Sequence, residues 1–115
     1  MKYMFLISSV PAPPPPKLME EIMKLGIERT QDGTLVVQGG LMPPAMGGAK
    51  VKVSRGKLQV FDGPFAESKE VIGGYAIFEC ATREDALKHA VEFMELHRQH
   101  WPDWEGECEM RQIMG

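Results

Sequence analysis

Large apolar residues run without a break from Tyr3 to Ile7, and Ser8 closes the run, which predicts a buried strand. Val10 to Pro16 is proline-rich, and its last prolines suit the first turn of a helix, where a missing amide donor costs nothing. That helix is predicted from about Pro15 to Thr30. Leu18, Ile22 and Leu25 recur at helical spacing with Met19 and Met23 alongside, and Asp32-Gly33 ends the pattern. Leu35 to Gln38 reads as a strand closed by Gly39-Gly40. Leu41 to Gly48, with Pro43-Pro44 and Gly47-Gly48, is loop. Lys50-Val51-Lys52-Val53-Ser54 alternates polar and apolar, Arg55-Gly56 turns the chain, and Leu58 and Val60 resume the alternation, as in a hairpin with one wet face. Ile72 to Ala81 is the longest strand candidate. Thr82, with Asp85 three residues on, resembles a helix cap. In the helix that follows, Leu87, Val91 and Met94 form one stripe, widened by Ala86, Ala90 and Phe93. It ends between Leu96 and Trp101, because Pro102 cannot continue it. Glu107 to Met114 alternates, with Cys108 and Met110 on one face and Glu109 and Arg111 on the other.

The order strand, helix, strand, hairpin, strand, helix, strand predicts an α+β fold: a ferredoxin-like sandwich of an antiparallel sheet and two helices, as a single domain over residues 1–115. Two helices cover one face of such a sheet. The first strand is nevertheless apolar on both faces, Tyr3, Phe5 and Ile7 against Met4 and Leu6, and Tyr75 and Ile77 stand against Ala76 and Phe78 in the same way. An uncovered second face would be a large apolar patch, so a second copy of the chain is expected to cover it as a homodimer.

Composition narrows the function. Hydrophobic residues make up 43% and charged residues 25%, an ordinary globular mixture. A net charge of -3 without a basic cluster disfavours nucleic acid. No apolar run is long enough to cross a bilayer, so no membrane association is expected. The opening apolar stretch is short for a signal peptide, and Pro11 to Pro16 stand where a small-residue cleavage site would be. Cys80 and Cys108 sit in apolar strand-like runs and read as buried free thiols, which points to the cytoplasm. The 9 methionines are read as adaptable core filling. No cofactor is expected.

Between the hairpin and the next strand lies Asp62-Gly63-Pro64-Phe65-Ala66-Glu67-Ser68-Lys69-Glu70, followed by Gly73-Gly74-Tyr75. This stretch resembles the signature of the DGPF proteins, a branch of the YCII-related family. Gly39 and the proline at Pro43 or Pro44 fit the pattern upstream, and Glu109-Met110-Arg111 fits the closing strand. The resemblance implies a dimeric α+β barrel, two ferredoxin-like units packed sheet to sheet. It also implies a histidine–aspartate pair proposed for acid–base catalysis in some relatives, of which Asp62 matches the aspartate, and a link to sigma-factor pathways. Gln112 departs from the pattern, which has proline there.

The candidate chemistry is confined to a few groups of residues. Asp62 is either a turn-holding carboxylate or a general base at a cavity mouth, the latter requiring a second titratable group such as His97 or His100 within reach. Glu67, Lys69 and Glu70 are either a solvated charge cluster or ligand contacts on a loop. His97 and His100 share a helix face, yet two ligands fall short of a zinc site unless Asp103 or Glu105 joins them, so no metal is expected. Trp101 and Trp104 form either a lid over the core or an aromatic pocket wall. Arg111 pairs with Glu109 or serves as an anion anchor. Tyr75 is read as core, with its hydroxyl at the dimer interface. Three functions follow. The first is a binder of a small anionic or aromatic molecule in a cavity between sheet and helices, the second an isomerase- or lyase-type enzyme using Asp62 with a histidine, and the third an interaction module accessory to a transcription regulator.

Overall fold

A computed structural model describes residues 1–63 and 70–115. Its elements are β1 (Lys2–Ser9), α1 (Pro16–Gln31), β2 (Leu35–Gly40), β3 (Lys50–Ser54), β4 (Lys57–Phe61), β5 (Val71–Glu79), α2 (Arg83–His100) and β6 (Gly106–Gln112). Four strands form one sheet in the order β2-β5-β1-β6, and every neighbouring pair is antiparallel. With both helices on one side, this is the expected ferredoxin-like α+β arrangement. The hairpin β3–β4 forms a second, two-stranded sheet.

Local chemistry sets the helix ends. Pro16 opens α1 after an extended Pro15, and Asp32 closes it, its carboxylate accepting the Thr34 amide at 3.0 Å. Thr82 caps α2 by accepting the Asp85 amide at 3.1 Å, as the Thr82/Asp85 spacing predicts. In the β3–β4 turn, Arg55 (φ 53°) and Gly56 (φ 76°) are both left-handed, the geometry that matches strand twist in a two-residue hairpin.

The core lies between the helices and the face of the sheet that carries Tyr3, Phe5, Leu35, Phe78 and Cys80, closed by Ala86 and Ala90 of α2. Phe5 stacks on Phe78 with ring centroids 4.8 Å apart. Leu18 of α1 is completely buried. Burying each such ring or leucine contributes about 1.5–3 kcal/mol.

The α2 stripe differs from expectation. Leu87 is 43% and Val91 60% exposed, while Ala86, Ala90, Phe93 and His97 turn inward. The small alanines let α2 sit close to the sheet, and the larger Leu87–Val91 row is rotated out. The hairpin differs too. All its residues are exposed on both faces, so no face of it is covered by the rest of the described chain. On the sheet, strand register places Met4, Leu6, Val37, Tyr75 and Ile77 on the face away from the helices, beside Glu109 and Arg111.

Candidate functional site

Between α1, α2 and the sheet lies a cavity of about 830 Å³. It exists because α1 packs on α2 and the β2 edge more than on the sheet centre. Its floor is Phe5 and Ile7 of β1 with Ala76 and Phe78 of β5. Its roof is Leu18, Ile22 and Leu25 of α1. Phe93 and His97 of α2, with Trp101 and Trp104 beyond it, form one wall, and residues 11–14 and 41–43 border the other side.

His97 is the polar group set deepest in that wall, at 6% exposure. Its Nδ1 lies 3.1 Å from the Phe93 carbonyl oxygen, which can only accept, so Nδ1 carries the proton and Nε2 of the neutral ring is an acceptor. Burial holds the imidazole below its usual range, against the opposing effect of the Phe93 carbonyl. The ring lies 4.5 Å from Trp104 and 4.8 Å from Phe93, and Trp101 stacks on Trp104 at 5.9 Å. Gly106 makes this wall possible. A Cβ there would lie 2.2 Å from the Trp104 ring and 2.8 Å from the Ser8 carbonyl oxygen.

A second polar group borders the cavity where the helices cross. Arg29 of α1 reaches Glu92 of α2 at 3.4 Å through Nε, and also meets Asp32 and Glu28. The Nε atom is buried without a hydrogen bond. His89 stacks on Phe78 at 4.8 Å, with Nδ1 3.8 Å from Glu92. Arg29, Glu92 and His89 were not among the site residues expected from the sequence, and helical spacing is the signal that could have found Arg29 and that places His97. Arg29 falls four residues after Leu25 on the Leu18–Ile22–Leu25 stripe, and His97 falls four after Phe93 on the Ala86–Ala90–Phe93 stripe.

Of the expected site residues, the cavity gathers His97, Trp101 and Trp104. Tyr75 borders it through β5, while its ring lies across Gly39 on the other face of the sheet. Asp62, Glu70 and Arg111 are exposed and lie outside the lining. His100 is half-buried at the end of α2, also outside it. Among the described residues no hydrogen bond joins Asp62 to His97 or His100, and no ion pair joins Arg111 to Glu109. Glu67 and Lys69 lie outside the described residues. Among the described residues no three His, Cys, Asp or Glu side chains converge as a metal site. Both thiols are free, and burial pushes Cys108 up to about 11 and raises Cys80, so neither is a ready nucleophile at neutral pH. Among the described residues no helix is long and apolar enough to cross a membrane.

Over 47 residues the chain is 40% identical to an uncharacterized protein, R00369, of Rhizobium meliloti (strain 1021), a match covering 41% of this chain. It spans 38% of that curated relative's length. The model of the YCII-related domain matches residues 1–93, from β1 into the middle of α2, and ends before the His97, Trp101 and Trp104 wall of the cavity. The chain therefore belongs to the YCII-related family.

Proposed function

We propose that this protein is a homodimeric binder of a small, mainly apolar aromatic molecule held between the helices and the sheet. The cavity of about 830 Å³ carries this reading: it has the size of a ligand pocket, and its walls are apolar around a few polar groups. A flat ring fits against Trp101 and Trp104, and a hydroxyl or N–H on it would donate to His97 Nε2. Of the two ligand classes the sequence allows, the aromatic one is better served. Arg111 lies outside the lining, and Arg29 already faces three carboxylates. The apolar sheet face bearing Met4, Leu6, Tyr75 and Ile77 supports a second copy as its cover. The Asp62-to-Glu70 motif supports placement in the DGPF branch. No reaction is assigned, because the acid–base reading needs Asp62 within reach of a histidine, and among the described residues no hydrogen bond joins it to His97 or His100.

The chain has 2 tryptophans, and both border the cavity, so its fluorescence reports on this wall. Titration with 1-naphthol should change tryptophan emission saturably. His97→Leu should weaken binding by up to about tenfold, the worth of one hydrogen bond. Ala76→Phe, which fills the floor, should abolish it while circular dichroism still shows a folded chain. No saturable change in the unmodified protein at millimolar probe overturns the reading.

A further inference from the structure

The hairpin β3–β4 is a two-stranded ribbon standing clear of the body, and such a ribbon is marginal alone in water. Val51, Val53, Leu58 and Val60 share one of its faces, paired Val51 with Val60 and Val53 with Leu58, and are 65–74% exposed. Lys50 and Lys52 alternate with the valines along β3 and lie on the other face. At the far side of the main sheet, β6 pairs among the described residues with β1 alone, so its outer edge offers amides and carbonyls for a further strand. It alternates too, as Glu107-Cys108-Glu109-Met110, with the glutamates on the open face and Cys108 and Met110 toward the helices. Among the described residues no ion pair reaches Glu105, Glu107 or Glu109.

We propose that β3 of one copy adds to the outer edge of β6 of a second copy, Lys52 lying beside Glu107 and Glu109 while the valines continue the apolar face of Cys108 and Met110. The inference rests on the second-copy reading above. Added this way, the two alternations match on both faces, and opposite charges directly across strands stabilise the pairing.

Topology points to the same meeting. Gly40 and Ile7 both pair with Gly74, and Ser9 pairs with Gly106, so the end of β2 that leads to the hairpin and the acidic start of β6 lie at one end of the sheet, on opposite edges. When two such sheets face each other about a two-fold axis parallel to the strands, each hairpin arrives at the acidic start of the other copy's β6. An axis across the strands brings it instead to the Leu35 end of β2, where Asp32 and Glu79 are already ion-paired. Orthogonal packing brings it to the Arg111 end of β6 or to the other hairpin, like charge against like in both cases.

Sedimentation equilibrium of the full chain tests this. Lys52→Glu and the double change Glu107→Lys with Glu109→Lys should each weaken the dimer by about tenfold or more, and combining all three should restore it to near the unmodified value. Val53→Pro, which removes a strand amide, should weaken it with no rescue by the charge changes. Circular dichroism checks that each variant is folded. Charge variants that dimerise like the unmodified chain overturn the proposal while leaving the sheet-to-sheet dimer standing, and so does weakening without rescue. A monomer at every concentration overturns both. If Lys52→Glu leaves the dimer intact but releases the protein from anionic phospholipid vesicles, the hairpin is a membrane arm and the proposal falls.

Discussion

At the scale of single residues, His97 concentrates the chemistry of the cavity. Burial among aromatic rings disfavours the charged imidazolium in the folded chain and outweighs the opposing effect of the Phe93 carbonyl. The sign follows from linkage. A histidine whose folded pKa lies below its unfolded one adds nothing unfavourable above the unfolded value, but on acidification the unfolded chain takes up the proton first. Stability should therefore fall as pH drops below about 6.5, by up to ~1.4 kcal/mol per pH unit, until the folded imidazole itself titrates. Denaturant melts between pH 7.5 and 5.5 measure this against His97→Leu. Equal slopes for the two proteins would remove His97 as the cause. Its place was partly legible, since it continues the Ala86–Ala90–Phe93 stripe. Its tautomer was not, because that depends on the Phe93 carbonyl in three dimensions.

At the scale of elements, the two helices were read differently well. The α1 stripe of Leu18, Ile22 and Leu25 faces inward as expected, because proline at its start and Asp32-Gly33 at its end are local signals. For α2 the cap was legible and the buried face was not, because two rows of apolar residues compete for the sheet and side-chain size decides between them. Thr82→Ala should lower stability by about 1 kcal/mol, read as a drop in denaturation midpoint with unchanged slope. Thr82→Ser should recover most of it, since serine offers the same acceptor, and a Thr82→Ala protein as stable as the original would show the cap to be idle. The hairpin was visible as alternation closed by Arg55-Gly56. Its exposure on both faces was invisible, since alternation specifies two faces and says nothing about what lies over them.

At the scale of the whole molecule, the sheet leaves one face without a helix. Ile77→Asp places a charge at the middle of that face, across from Met4 and Val37. It should convert a dimer to a monomer in light scattering while leaving the helix-side core folded, and a dimer of unchanged affinity would move the interface elsewhere. The order of strand, helix, hairpin and cap signals by itself determined an α+β fold with two helices and an antiparallel sheet, because apolar runs, turns and helix caps are local properties of the chain. A cavity between sheet and helices was expected, but its size and lining came only from tertiary structure. How far α1 stands off the sheet, and so whether Trp101, Trp104 and His97 enclose a space or merely pack, is set by side chains distant in sequence meeting at Gly106, Ala86 and Ala90, and no local pattern encodes that distance.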